Sequence, residues 1–115
     1  MIKKKDECTV QKNENMRGGE GSIIIRHLLS AEELYDKGRL YAIIVIEPGC
    51  SIGSHVHEGE MESYYIIKGE AEVSDNGDLV KVSAGDSVLT RCSEEHSIKN
   101  IGTETLEVMA LIIYK

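Results

Sequence analysis

His55, His57, Glu62 and His96 are the side chains of this 115-residue sequence best suited to chemistry. Imidazole nitrogens and a carboxylate oxygen are what a divalent first-row metal binds. The spacing is as informative as the types: His57 lies two residues after His55, Glu62 five after His57, and Gly69 seven after Glu62. Asn100 follows His96 by four. Along a β-strand, residues i and i+2 face the same side about 6.6 Å apart, so His55 and His57 can converge on one ion. Glu62 stands at an odd offset from His57, and an unbroken strand would send it to the opposite face. The segment Glu58-Gly59-Glu60 is therefore expected to break the strand, with Gly59 the residue that most easily permits it. Beyond that break, Glu62, Tyr64 and Ile66 share one face, and Tyr65 and Ile67 the other. His96 and Asn100 share a face if their segment is extended. Three strands would then each offer ligands from one side, which describes a barrel interior. His27 has no partner at ligand spacing and reads as a surface or satisfied core histidine.

The elements needed to hold such a site are legible in composition. The chain has no Trp or Phe and five Tyr, so burial falls to Ile, Val and Leu. Runs such as Ile23-Ile24-Ile25, Ile43-Ile44-Val45-Ile46 and Leu111-Ile112-Ile113 are β-branched and favour strands. Being continuous, they predict strands covered on both faces, one lining a barrel and the other meeting a second sheet or a partner subunit. Turn signals recur at Glu47-Pro48-Gly49, Lys68-Gly69, Asp75-Asn76-Gly77-Asp78, Ala84-Gly85-Asp86 and Asn100-Ile101-Gly102. Asn76-Gly77 is the strongest hairpin signal among them. The expected fold is an all-β barrel or jelly roll in a single domain over residues 1–115, with a polar arm at 1–22 and the barrel core at 39–115. Ser30-x-x-Glu33 has capping-box spacing and Gly38 could end a helix begun there, giving at most one short helix.

A net charge of −7 and no basic stripe argue against nucleic acid, whose phosphates are held by Lys and Arg. No apolar run approaches the roughly 18 residues of a membrane span, and no signal-peptide pattern opens the chain. Cys8, Cys50 and Cys92 are odd in number and widely separated, which points to a reduced, cytoplasmic location.

The run Gly49-x5-His55-x-His57-x4-Glu62-x6-Gly69 resembles the first motif of the cupins position for position, and Gly85-x10-His96-x3-Asn100 resembles their second. Arg91 stands where those proteins usually carry Pro, and Ser93 where they usually carry Gly. The likeness extends from Ala42 to Tyr114. It implies a double-stranded β-helix whose metal ligands are His55, His57, Glu62 and His96. Glu58 and Glu60 compete with Glu62 on proximity, but the family spacing excludes both, and they are expected to face solvent at the barrel mouth.

Three neutral imidazoles and one carboxylate would leave a divalent ion with a formal charge of about +1 and two open positions, as in catalytic metal sites. Mn, Fe, Ni, Co, Cu and Zn all fit this donor set. A small oxygenated or anionic metabolite chelated to the ion is the expected ligand. The leading expectation is a small metalloenzyme (cupins include dioxygenases, isomerases and decarboxylases). The alternatives are a non-catalytic binding or sensing module, and a protein whose ion only pins the barrel. Tyr64, on the face of Glu62, is a candidate proton donor or substrate contact, unless it is simply a core residue. Arg91 would pair with an anionic substrate if it points inward, and is otherwise an exposed loop residue. Asn100 is expected to orient a ligand or secure its loop. Cys92 reads as a small buried residue. Two-sided apolar strands, the arm and the family resemblance together predict a homodimer.

Overall fold

The computed structural model describes residues 1–115. It contains ten strands: β1 Val10–Glu14, β2 Ser22–Leu29, β3 Gly38–Ile46, β4 Ser51–Val56, β5 Glu60–Lys68, β6 Glu70–Asp75, β7 Asp78–Ser83, β8 Ser87–Thr90, β9 Glu95–Asn100 and β10 Leu106–Tyr114. They form two antiparallel sheets, a six-stranded one in the order β1-β2-β3-β10-β5-β8 and a four-stranded one in the order β4-β9-β6-β7. The fold is all-β, the double-stranded β-helix expected. Helical structure is confined to two 3₁₀ turns, at Lys5–Glu7 and Met16–Gly18.

Alternation builds the core. Ile23 and Ile25 of β2, Ala42, Ile44 and Ile46 of β3, and Val108 and Ala110 of β10 face inward from the larger sheet. Ile52, Ala71, Val73 and Ile98 meet them from the smaller one. The two-residue period is what seats every second side chain on the inner face. On β5 the period gives buried Glu62, Tyr64 and Ile66, while Tyr65 and Ile67 are 47% and 40% exposed. The outer face of β5 thus meets solvent within one chain, whereas Ile43, on the outer face of β3, is covered.

The turn chemistry follows the sequence. Asn76 and Gly77 have φ of 51° and 92° and join β6 to β7 as a tight hairpin. Gly59, at φ 70°, breaks the chain between β4 and β5. The capping box also forms: Ser30 N–H donates to Glu33 Oε1 at 2.9 Å, and Glu33 N–H donates to Ser30 Oγ at 3.1 Å. No helix grows from it, because Tyr35 and Asp36 both turn left-handed at φ 54°. Gly38 accordingly ends no helix. It opens β3 so close to β10 that a Cβ there would collide with the Ile112 carbonyl.

The residues expected to form a polar arm include β1, which pairs with β2 from Val10↔Arg26 to Glu14↔Ser22. The segment after β1 lies on β4, where Gly19 and Gly53 leave room for bare backbone. A Cβ on Gly19 would strike the Ser51 carbonyl, and one on Gly53 the Arg17 carbonyl.

Candidate metal centre

Three strands and one inter-strand turn carry the four candidate ligands inward. On β4 a register shift between Ile52 and His55 brings both to the inner side despite their odd spacing, and Gly53 lies within that irregularity. His57 follows in the turn before β5. Glu62 is the inward residue of β5 paired with Thr90, and β9 presents His96, Ile98 and Asn100 to the interior in alternation.

These ligand atoms converge. Nε2 of His96 lies 3.0 Å from Nε2 of both His55 and His57. Oε1 of Glu62 lies 3.0 Å from Nε2 of His57 and of His96. The atoms that His55, His57, Glu62 and His96 offer all fall within 4.8 Å of one another.

The far side of each ring explains which nitrogen is offered. His55 Nδ1 lies 2.8 Å from the Gly53 carbonyl, which can only accept, so Nδ1 carries the proton. His57 Nδ1 lies 2.8 Å from Glu60 Oε1. Arg39 grips the same carboxylate through Nε and one terminal nitrogen at 2.8 and 2.7 Å. Arg39 first, then His57, hold the Glu60 carboxyl at about 2, against desolvation that opposes them, so it too can only accept. His96 Nδ1 lies 2.8 Å from the Thr90 hydroxyl. With the Nδ1 protons of His55 and His57 so committed, their neutral rings turn bare Nε2 lone pairs toward His96 and the Glu62 oxygen. Lone pairs packed this closely repel unless a cation or proton lies among them. The donor set therefore fits a divalent metal, and partners on the outer nitrogens are the usual means of orienting metal-bound imidazoles.

Electrostatics agree. Burial, with added repulsion from His96, His57 and Arg17, lowers the His55 pKa even though its bond to Gly53 pulls the other way. In the imidazolium form, where a proton on Nε2 takes the place of the cation, bonding to Glu62 raises the pKa of His57, with Glu60 adding to it. Glu62 is depressed overall, because bonds to His57 and His96 outweigh its desolvation.

Beside the cluster lies a cavity of about 170 Å³, open to solvent. That is well below the roughly 300–1,000 Å³ of pockets for drug-sized ligands, so it suits a small metabolite. Its walls carry His55, His57, Glu62 and Tyr64, with Gln11, Asn13, Arg17, His27 and Arg39 opposite in kind: polar donors from outside the ligand-bearing strands. Tyr64 is 2% exposed, and its ring stacks on His96 with centroids 5.0 Å apart. Burial first, then the Glu62 charge, push its phenol well above the usual value, so it stays protonated.

The remaining candidates lie elsewhere or act differently. Arg91 does not line this cavity; it sits exposed beside a separate groove with Glu60, Met61, Cys92 and Lys115. Cys92 is half-buried, not buried, and accepts from the Gly59 N–H at 3.3 Å. Asn100 is buried and secures its loop: Nδ2 donates to the Ile46 and Glu104 carbonyls at 2.8 and 2.9 Å, and Oδ1 accepts from the Gly102 N–H at 2.8 Å. Ser93 adopts φ 70°, the left-handed backbone for which Gly is the usual residue. Its N–H donates to the His57 carbonyl at 2.6 Å, which ties the turn before β9 to the ligand segment.

Glu58 is exposed as expected, but Glu60 is not. At 8% exposure Glu60 is drawn inward by Arg39 and His57. Local spacing could not reveal this, because Arg39 comes from β3. Nor could it reveal Gln11 and Asn13, which reach the cavity through the pairing of β1 with β2, or Arg17, whose turn lies on β4 at Gly53. His27 is satisfied, as read from the sequence, by Gln11 at 3.0 Å, but it also faces the cavity.

Known proteins share these features. A family profile described as the cupin domain matches residues 42–114. The oxalate-binding protein of Thermotoga maritima is 46% identical over 113 residues, which cover 98% of this chain and 93% of that protein. A crystal structure from the same organism, described as a predicted oxalate decarboxylase, superposes with a TM-score of 0.96 at 45% identity over 100% of both chains. An uncharacterized conserved Klebsiella pneumoniae protein with a double-stranded β-helix domain gives a TM-score of 0.70 at 25% identity, over 80% of this chain and 76% of that one. The matched profile spans the segments that bear all four candidate ligands, and the Thermotoga relative is alike over nearly its whole length: the chain belongs to the cupin family.

Proposed function

We propose that this cupin binds one divalent transition metal through His55, His57, Glu62 and His96, and through that metal a small oxygen-rich dianion of the oxalate class. The observation that carries the reading is the meeting of three Nε2 atoms and one carboxylate oxygen around a single point, with the outer nitrogens of His55 and His57 committed as donors. Bound there, Mn, Fe, Ni, Co, Cu or Zn would supply a Lewis-acidic centre of net charge about +1, to which a chelating carboxylate pair is complementary. The chain's own part is to fix that donor set, to limit the ligand to a small volume, and to surround it with donors. Gln11, Asn13 and His27 offer hydrogen-bonding groups, and Glu62, the one carboxylate on the wall, is already turned to the cluster. The name of the Thermotoga relative, an oxalate-binding protein, supports the same ligand class. Calorimetric titration of metal-loaded protein with oxalate tests it. One-to-one binding that vanishes after chelator treatment is expected; binding equally strong without metal would defeat it.

Turnover is a second reading, favoured by the description of the Thermotoga structure and by Tyr64, a protonated phenol on the cavity wall next to Glu62. In it Tyr64 would hand a proton to the bound substrate; Arg91, outside the cavity, has no part. Formate release from oxalate by metal-loaded protein, lost in Tyr64→Phe, would favour turnover. Oxalate recovered unchanged would favour binding alone.

In the same proposal the protein is a cytoplasmic homodimer of one domain per chain. Its three cysteines are unpaired, and no helix is long and apolar enough to cross a membrane. Tyr65, Ile67, Leu79, Val80 and Leu89 are exposed apolar residues that a second copy could cover. Sedimentation at micromolar concentration tests the dimer, and a monomer there would exclude it.

A further inference from the structure

The geometry points to Arg17 as the residue that receives the outer carboxylate oxygens of the metal-chelated dianion and so selects two-headed over one-headed acids. The inference rests on the function proposed above and adds to it the residue that sets ligand charge.

Two arginines line the cavity, and they are not equivalent. Arg39 is neutralised by its two-pronged bond to Glu60, which in turn holds His57. Arg17 makes no side-chain hydrogen bond and no ion pair with any residue of the chain, so its five N–H donors are free. A guanidinium presents them as a planar fork that matches the two oxygens of a carboxylate. A dianion of the oxalate class that turns one oxygen of each carboxylate toward the cluster has its two remaining oxygens directed away, toward the cavity. A monocarboxylate held at the same place has at most one.

The backbone that carries Arg17 is specialised. Arg17 sits at φ 54°, ψ 30°, between Asn15 at φ 47° and Gly18 at φ 79°. Left-handed backbone at a non-glycine residue is disfavoured and persists only where the surroundings impose it. The surroundings are explicit here. Asn15 N–H donates to the Gly21 carbonyl at 2.8 Å, and Asn15 Nδ2 donates to the Gly19 carbonyl at 3.1 Å. Gly53 admits the Arg17 carbonyl where any Cβ would collide. Gly53 is also the residue whose carbonyl orients His55. One backbone position on β4 thus fixes both the turn bearing Arg17 and a ring of the cluster, while the Arg17 side chain itself is exposed and open to a ligand.

Titration of metal-loaded wild type, Arg17→Gln, Arg17→Lys and Arg26→Gln with oxalate and with acetate, alongside metal content for each, tests the assignment. Arg26 lies on β2 outside the cavity wall and controls for loss of one positive charge. Arg17→Gln is expected to keep its metal and to bind oxalate about tenfold to a hundredfold more weakly, with acetate changed less than threefold on the order expected for a neutral contact. Arg17→Lys should recover part of the loss and Arg26→Gln none of it should incur. Oxalate affinity in Arg17→Gln within about twofold of wild type, an equal loss in Arg26→Gln, or loss of metal from Arg17→Gln would each overturn the role of Arg17. Wild-type protein that holds metal and binds no oxalate would instead defeat the proposed function, and the inference with it.

Discussion

Replacing Glu60 with Gln perturbs the centre without replacing a candidate ligand. The carboxylate accepts two bonds from Arg39, at 2.8 and 2.7 Å, and one from His57 Nδ1, at 2.8 Å. Glutamine keeps the shape but offers one acceptor oxygen and an NH₂ that opposes Arg39. The Nδ1 proton of His57 then loses its charged acceptor, and the tautomer with Nε2–H becomes accessible. That proton would point at the place where Glu62 Oε1 and His96 Nε2 meet, each 3.0 Å away. Outer partners of metal-bound imidazoles are worth about 10–100-fold in affinity, or about 1.4–2.7 kcal/mol. The lost Arg39 bridge adds a smaller stability cost of about 1 kcal/mol, because the Arg39 side chain is 41% exposed and screened by solvent. Competition against a chromophoric chelator reads the affinity, and thermal melting of metal-free protein reads the stability separately. A Glu60→Gln variant that folds and binds metal within about twofold of wild type would refute the idea that Glu60 sets the His57 tautomer.

Glu62→Ala should lose stoichiometric metal while Glu58→Ala keeps it; equal loss in elemental analysis would reassign the carboxylate ligand. Gly69→Ala should destabilise by about 1–3 kcal/mol in urea, because Gly69 sits at φ 94° with a would-be Cβ only 3.0 Å from Leu106 Cα and the Thr105 carbonyl; an unchanged midpoint would show the turn can relax. Metal binding near neutral pH should release protons. The pKa of His57 is raised by Glu62 and Glu60, so part of the metal-free population carries a proton that binding expels. The sign is then fixed, with affinity falling as pH drops, and calorimetry in buffers of different ionisation enthalpy reads it; zero proton release at pH 7 would contradict it. The acid limb of metal-free stability should follow Glu60. Its carboxyl is lowered from 4.5 to about 2 by Arg39 first and His57 next, so its contribution is complete above 4.5 and lost as pH falls toward 2. Acid titration of Glu60→Gln should show that loss diminished, and curves of identical shape would exclude Glu60 as the source.

Parity made much of the site legible. Two histidines at i and i+2, a glycine break, and a glutamate at an even offset within the next strand are short-range facts; strand geometry sets the faces of His55 and Glu62, while His57 sits just past the end of β4. Asn76-Gly77 was equally readable because its conformation is set by those two residues. What the sequence concealed arrives over long separations. In sequence Glu60 reads as a solvated neighbour of the ligands, because Arg39, which holds it, comes from the distant strand β3. Arg17, Gln11 and Asn13 looked like a polar arm, since only the pairing of β1 with β2 and the backbone contact at Gly53 bring them to the cavity. The capping box at Ser30 shows the limit of local rules from the other side: both of its bonds form, yet Tyr35 and Asp36 turn the chain left-handed and no helix follows.

X-ray absorption at the edge of the metal that co-purifies with the protein, combined with its stoichiometry, bears most directly on the central claim. One ion per chain, with three imidazoles and one carboxylate oxygen among its nearest scatterers, is the predicted result. Substoichiometric metal, or an ion whose environment lacks imidazole, would contradict the account.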